Sequence, residues 1–274
     1  MKKILILFLI LILFIFLFTQ NNIIQISEYN IYTDKISEDL KILQIADLHS
    51  KSFGKKQSKL IEKIKNIEPD IIVFTGDSFD ANRSTGQKDL EPLLNVIKPF
   101  KNTIPIYYIT GNHEEGNDEL YAQLKPQLEK LNITILDSET VKLTDNISIT
   151  GINDPGHYKN TIKFNRILKT LSKKTKDEDF NILLSHRPSI VTEYNQTKFD
   201  LILSGHAHGG QWRIPFLLEN GIYAPTEEFF PEYTNGNHKL KHGNLIISRG
   251  LGNSRCPIRL FNYPELVVIN VKSQ

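Results

Sequence analysis

Residues 41–80 read KILQIADLHSKSFGKKQSKLIEKIKNIEPDIIVFTGDSFD. Lys41–Ala46 is a short aliphatic run and predicts a strand. Asp70–Thr75 is a second run, apolar over Ile71–Phe74, of the kind found in strands buried on both faces. Between them, Lys55–Ile67 sets Leu60, Ile61, Ile64 and Ile67 at helical spacing among lysines, which predicts an amphipathic helix. Strand, helix, strand in so short a span is a βαβ unit, and βαβ units build parallel sheets.

The same rhythm continues outward. Leu90–Phe100 reads as a helix, Ile104–Thr110 as a strand and Leu120–Leu131 as a helix. Then the spacing tightens. Ile133–Leu136, Val141–Leu143 and Ile147–Thr150 are close-set strands, with Asp137-Ser138 and Asp145-Asn146 as turns between them. They are expected to open a second, mixed sheet that runs on through Ile182–Leu184, Leu201–Leu203, Asn244–Ser248 and Leu266–Val271, with a helix near Thr161–Lys173. The expected fold is α/β: a four-layer αββα sandwich of two mixed sheets, preceded by one N-terminal transmembrane helix.

That helix is Ile4 to Phe18, an unbroken run of Ile, Leu and Phe behind Lys2-Lys3. It offers no polar face to water, so a buried soluble helix is a poor reading. Ile4–Phe18 spans roughly 22 Å at 1.5 Å per residue, short of the roughly 30 Å hydrocarbon core, a gap that end residues, snorkelling or thinning can close. A cleaved signal peptide has an apolar region of similar length, but Thr19-Gln20-Asn21-Asn22 offers no small-residue cleavage site, so an uncleaved anchor is favoured. With Lys2 and Lys3 before the span and no basic residue until Lys35, the N-terminus is expected in the cytoplasm and the domain outside. The expected division is residues 1–20 as anchor, 21–38 as a tether with one edge strand at Ile31-Tyr32, and 39–274 as the catalytic domain.

Composition excludes little but is not silent. Lys+Arg 33 against Asp+Glu 31 gives +2, and without Lys2 and Lys3 the remainder is neutral, which is no footprint for a nucleic acid. One cysteine, Cys256, forbids an intramolecular disulfide and is expected to be small and at least half-buried.

Chemistry concentrates in five runs: Asp47-Leu48-His49, Gly76-Asp77-Ser78-Phe79-Asp80, Gly111-Asn112-His113-Glu114, Ser185-His186 and Gly205-His206-Ala207-His208. Each carries carboxylate, amide or imidazole groups, the donors of borderline divalent metals. Four of the runs follow strand-like segments, at the ends where open α/β sheets bind ligands. Asp47 and His49 are two apart, as are His206 and His208, so an extended chain would turn each pair to one side. Gly76, Gly111 and Gly205 end apolar runs where the backbone is expected to turn sharply. Taken singly, each of these residues has a plainer reading: Asp47 as a cap or turn residue, His186 as structural. His157, His238 and His242 fall outside the runs and are expected in solvated loops.

The ordered set of five runs resembles the calcineurin-like metallophosphoesterase superfamily, which hydrolyses phosphate esters at a pair of divalent metals. Gly209-Gly210-Gln211-Trp212-Arg213-Ile214-Pro215, Ile247-Ser248-Arg249-Gly250-Leu251-Gly252, Pro257-Ile258-Arg259 and Pro264-Glu265-Leu266 extend the likeness to its bacterial membrane-associated, YkuE-like branch. The resemblance implies that Asp47, His49 and His208 bind one metal, that Asn112, His186 and His206 bind the other, and that Asp77 bridges them. Two cations (Mn, Fe, Zn or Co) would acidify a water toward a pKa of about 7 and clamp the phosphoryl oxygens. It further implies His113 as general acid, with Asp80 orienting it through an imidazole hydrogen bond. Glu114 is left as a loop-holding residue. Protein phosphatases of the superfamily carry an arginine directly after the second aspartate of the Gly-Asp-x-x-Asp run. Here Ala81-Asn82 intervene before Arg83, which argues against that branch.

Trp212, Phe216, Leu217, Leu218, Tyr223, Phe229, Phe230 and Tyr233 make an apolar segment beside this polar site, suited either to covering a sheet edge or to receiving a lipid tail. The expected substrate is therefore a phosphate ester, lipid-linked or from the cell envelope, met at the membrane. Two other readings stay open: an inactive membrane-anchored metal-binding module, against which the presence of both His113 and Asp80 argues, and a soluble-nucleotide phosphodiesterase.

Overall fold

The structure is a computed structural model, and it describes residues 2–158, 160–225, 228–253 and 256–274. Helix α1 (Lys2–Asn22) leads into β1 (Gln25–Thr33), then β2 (Leu40–Ile45), α2 (Ser58–Ile67), β3 (Ile71–Thr75), α3 (Gln87–Ile97), β4 (Ile106–Ile109), the single turn α4 (Asn112–Glu115), α5 (Asp118–Lys130) and β5 (Thr134–Ile135). The second half holds β6 (Glu139–Thr144), β7 (Ile147–Gly151), α6 (Thr161–Lys174), β8 (Phe180–Leu184), the turn α7 (Val191–Tyr194), β9 (Leu201–Ser204), β10 (Tyr223–Ala224), β11 (Glu228–Phe229), β12 (Gly236–Lys239), β13 (Asn244–Ile247) and β14 (Glu265–Ser273).

Two six-stranded mixed sheets result, in the orders β1-β14-β2-β3-β4-β5 and β12-β13-β9-β8-β7-β6. Strand alternation builds the layers. In the first sheet Ile42, Val73, Ile109, Val267 and Ile269 point to one face and meet Ile149, Ile182, Leu203 and Ile246 of the second. Leu43, Ile45, Ile72, Phe74 and Val268 point the other way, against Leu60 and Ile64 of α2, Leu90 and Leu94 of α3, and Leu124 and Leu128 of α5. On the far face of the second sheet, Leu183, Ile202 and Leu245 cover Phe164 and Leu168 of α6 and Tyr194 of α7. Each such buried side chain stabilises the fold by roughly 1.5–3 kcal/mol relative to exposure. The four layers are thus αββα, as expected.

Local signals set the helix ends. Asn117 Oδ1 accepts from Leu120 N at the start of α5, and Asn160 Oδ1 from Ile162 N and Lys163 N at the start of α6, satisfying donors that the helix leaves free. Helix α2 stops at Glu68, which is left-handed (φ 51°) and precedes Pro69.

Two strands pair differently from the expectation. Ile133–Leu136 does not open the second sheet: β5 pairs parallel with β4, because α5 is a βαβ crossover and returns the chain to the same sheet. Only after Ser138 (φ 56°) does the chain pass to the second sheet. Leu266–Val271 also belongs to the first sheet, where β14 lies between β1, parallel, and β2, antiparallel. Its alternating residues feed both cores, so its period revealed a strand but not its partner. The edge strand expected at Ile31-Tyr32 covers nine residues, Gln25–Thr33. His238 sits on β12, where its Nε2 meets the Asn235 carbonyl at 2.9 Å, instead of in a loop.

Helix α1 is long and apolar enough to cross a membrane by length and composition. Ile4 to Ile15 are exposed, and only its last two turns touch the domain.

Candidate metal centre

The carboxyl ends of β2, β3 and β4 in one sheet and of β8 and β9 in the other converge on one edge of the sandwich. Asp47 and His49 follow β2, Asp77 and Asp80 follow β3, Asn112 and His113 follow β4, His186 follows β8, and His206 and His208 follow β9. All of them but Asn112 are buried. Asp47, His49 and His208 each offer one ligand atom within 4.8 Å of the others, and so do Asp77, His186 and His206. His49 Nε2 is 3.1 Å from His208 Nε2, and His186 Nε2 is 3.1 Å from His206 Nδ1 and 3.2 Å from Asn112 Oδ1. Asp77 Oδ2 stands between the two groups, 3.6 Å from His49 Nε2 and 3.3 Å from His186 Nε2. Nitrogen and oxygen donors facing one another across so small and dry a space suit a borderline divalent cation.

The backbone that delivers them is not extended. Asp47, His49, Asp77, His206 and His208 all have positive φ, between 45° and 69°. Left-handed non-glycine residues cost of order 1–3 kcal/mol each and gather at functional loops. The pairing of Asp47 with His49 therefore comes from a tight left-handed loop, not from strand alternation as the spacing suggested. Of the three glycines, only Gly76 (φ 91°) has the turn expected of it. At Gly111 and Gly205 the cause is close approach, since a Cβ would lie 2.3 Å from Asp77 Oδ1 and 2.6 Å from Asp47 Oδ2 respectively.

Neighbouring groups fix the tautomers. His186 Nδ1 is 2.7 Å from the Thr75 carbonyl, which can only accept, so Nδ1 carries a proton and Nε2, which faces Asp77 and Asn112, is the nitrogen a cation would take in exchange for its proton. His113 is set the opposite way. Its Nδ1 accepts from Ala81 N at 2.8 Å, which leaves the proton on Nε2, 3.9 Å from Asp77 Oδ2. Here the expected Asp80–His113 hydrogen bond is replaced: Asp80 Oδ1 is 3.9 Å from His113 Nδ1 and instead accepts from Asn82 N and Arg83 N, while Oδ2 takes Arg83 Nε. Asp80 Oδ2 also lies 3.7 Å from His49 Nδ1, and these two residues with His113 form a third close cluster.

Burial and charge act against each other here. Burial raises the Asp47 carboxyl to about 7 despite the His186 charge nearby. Burial would lower His186, but Asp77 and Asp47 outweigh it and lift the imidazole to about 10. Burial would likewise raise Asp77, which His186 instead holds well below the carboxylate range. His206 and His208 are pushed well below the usual imidazole value by burial and by neighbouring cations, which keeps both rings neutral.

Three further residues shape the site, and Glu114 is the loop-holding residue that its place in the third run suggested. Glu114, fully buried, accepts from Ser78 N at 2.7 Å, Asp77 N at 2.9 Å, Gly111 N at 2.7 Å and Tyr108 Oη at 2.9 Å, and so ties two loops together. Arg187 makes a two-point ion pair with buried Asp154 (2.7 and 2.9 Å). Arg259, fully buried, donates to the Arg249 and Gly252 carbonyls and lies 3.4 Å from His208 Nδ1. A signal existed only for Glu114, which directly follows two site residues. A cavity of about 350 Å³ opens onto this edge, lined among others by Asp80, Arg83, Asn112, His113, Arg187 and His206.

A family model described as calcineurin-like phosphoesterase matches residues 40–210, a stretch that contains every residue of the cluster. The chain belongs to the calcineurin-like phosphoesterase family. Among relatives of this family, the uncharacterized metallophosphoesterase YkuE of Bacillus subtilis is 30% identical over 273 residues, covering 93% of this chain and 88% of its own length. An uncharacterized metallophosphoesterase of Aquifex aeolicus is 27% identical over 263 residues, covering 92% and 93%. One from Campylobacter jejuni is 29% identical over 262 residues; the match takes in 91% of this chain but 64% of that relative.

Proposed function

We propose that the chain is a membrane-anchored phosphoesterase that uses two divalent cations to hydrolyse a phosphodiester, phosphomonoester or pyrophosphate bond of a lipid-linked or cell-envelope phosphate. One observation carries the reading: four imidazoles, two carboxylates and an amide oxygen from five loops face one another at one sheet edge, beside a cavity that His113 lines. In this reading Asp47, His49 and His208 would hold one cation and Asn112, His186 and His206 the other, with the Asp77 carboxylate, which stands between the two groups, available to both. The donor set admits Mn, Fe, Zn or Co. When bound, the cations acidify water and offset charge on the phosphoryl oxygens.

The chain's own groups do the rest. His186 keeps Nε2 turned inward because its Nδ1 proton is held by the Thr75 carbonyl, so Nε2 is the atom that would give up its proton to a cation. His113 carries its proton on Nε2 and donates it to the leaving oxygen, a contribution of about 10²–10⁴-fold. Asp80 acts at one remove, fixing the Ala81–Arg83 loop whose amide sets the His113 tautomer. Arg83 and Arg187 line the cavity and give its wall positive charge toward an anionic substrate. Residues 1–20 anchor the chain, 21–38 lead from the anchor and 39–274 form the catalytic domain, with Lys2-Lys3 favouring a cytoplasmic N-terminus and an extracytoplasmic domain.

The test is metal-dependent hydrolysis of bis-p-nitrophenyl phosphate and p-nitrophenyl phosphate by the full chain in detergent, stripped and reloaded with Mn²⁺. Asp77→Ala is expected to abolish turnover, and His113→Ala to reduce it by about 10²–10⁴-fold. Two cations bound by the wild-type chain without any turnover would assign it instead as a metal-binding module.

A further inference from the structure

Helix α1 is not hung from the domain on a loose tether. Phe16 packs its ring on Phe261 with centroids 5.4 Å apart, and Gln20 is buried. Asn21 Oδ1 accepts from the Arg259 amide at 3.1 Å and from Asn253 Nδ2 at 3.0 Å, while its carbonyl accepts from Lys51 Nζ. Ile24 then enters the core of the first sheet.

Such docking leaves too little free apolar helix to cross a bilayer. From Ile4 to Ile15 the exposed stretch is about 18 Å long at 1.5 Å per residue, against a hydrocarbon core of about 30 Å. Thinning and snorkelling recover only a few ångström. The surface on which Phe16 is docked must therefore enter the membrane too, and its composition permits this. Phe216 is 96% exposed, Leu217 77% and Phe261 49%, with Ile214 and Ile258 also exposed. They are contiguous. Ile214, Phe216 and Phe261 line one depression of about 210 Å³, and a tight turn in which Leu218 N donates to Ile214 O thrusts Phe216 and Leu217 outward. Single exposed apolar residues are ordinary, but a contiguous patch joined to an apolar helix marks a contact surface.

We propose that the 214–217 turn, with Ile258 and Phe261, is a second membrane contact that seats in the interface beside α1 and fixes the domain's orientation on the bilayer. The proposal rests on the reading of α1 as a membrane span. The seat also leads toward the cavity. Ile222 N donates to Trp212 O and Phe230 N to Ile222 O, tying the turn to the β10–β11 hairpin, where Phe229 and Phe230 are exposed and Pro225 lines the cavity wall. A lipid phosphate thus meets the site with its apolar tail still against the bilayer.

Trp212, the one tryptophan of the chain, lies two residues from the turn and reports on it. The full chain is reconstituted into phosphatidylcholine–phosphatidylglycerol vesicles with or without bromine on the acyl chains, and Trp212 emission is compared. Quenching by about half is expected, as interface-seated apolar faces sink roughly 5–10 Å. Phe216→Ser with Leu217→Ser, at exposed positions where the fold does not depend on them, should remove most of the quenching and leave turnover of a soluble ester unchanged. Unquenched emission, or equal quenching in wild type and double variant, would overturn the proposal. So would a concentration-dependent emission change in lipid-free detergent that the double variant abolishes, which would assign the turn to a second copy of the chain. Turnover on the same samples separates the two ideas, because lost hydrolysis with intact quenching counts only against the phosphoesterase reading.

Discussion

Glu114 holds no proposed cation and no substrate, yet three backbone amides from two loops and the Tyr108 hydroxyl converge on it. Truncating it strands those donors in a dry interior at about 1–3 kcal/mol for each group left unpaired. Glu114→Ala is therefore expected to destabilise the chain by about 3–5 kcal/mol and to abolish turnover by freeing the Asp77 loop, as thermal denaturation and ester hydrolysis would show. Turnover near wild type would show that the loop holds its shape without it. At this scale the sequence was legible where donor types recur in ordered runs, as with Asp47, Asp77 and the four inward-facing histidines, and not from any one of them taken singly. It was not legible where the partner is remote. Nothing in the Asp80 spacing says that Ala81 N, and not Asp80, holds His113, because the outcome depends on how the Ala81–Arg83 loop closes. Arg187 with Asp154, and Arg259 behind His208, are pairings across 33 and 51 residues that only the folded chain brings together.

Among the elements, α1 and its docking loop make the sharpest test. Lys51 Nζ donates to the Asn21 and Leu251 carbonyls, and burial, helped by the Arg259 charge, pulls its pKa down to about 7. Below pH 7 both folded and unfolded chains hold this proton, and the cost of a buried ammonium is carried in full. Between pH 7 and about 10 the unfolded chain holds more protons than the folded one, so stability gains as pH rises. The melting temperature of the wild-type chain in detergent, relative to Lys51→Met, should accordingly climb from pH 7 to pH 9. A flat difference would mean that Lys51 remains protonated. The strands teach a different lesson. Aliphatic runs announced β2, β3, β8 and β9 because a buried strand needs such residues whatever its neighbours. The same property hid the sheet to which β5 and β14 belong, since pairing is decided by crossover geometry and by both cores at once.

For the whole molecule, the layering αββα followed from the order of elements, and the site followed from the meeting of strand ends. If the proposed cations bind only the folded chain, each stabilises it by about 4 kcal/mol at a thousandfold excess over its Kd. At about 2–4 °C per kcal/mol for a chain of this size, chelation of both should lower the melting temperature by about 16–32 °C, and Mn²⁺ should restore it. An unchanged melting temperature would place the cations elsewhere or nowhere. The position of β14 has a consequence of its own. The nine residues Glu265–Ser273 lie between β1 and β2, so β1 is held in its sheet only through a strand that follows every other strand of the two sheets. Until β14 pairs, one core lacks Leu266 and Val268 and the other lacks Val267, Ile269 and Val271. Loss of this one strand would therefore detach β1 and open both cores at once, a lesion as damaging as one in the loops that carry Asp47 and Asp77.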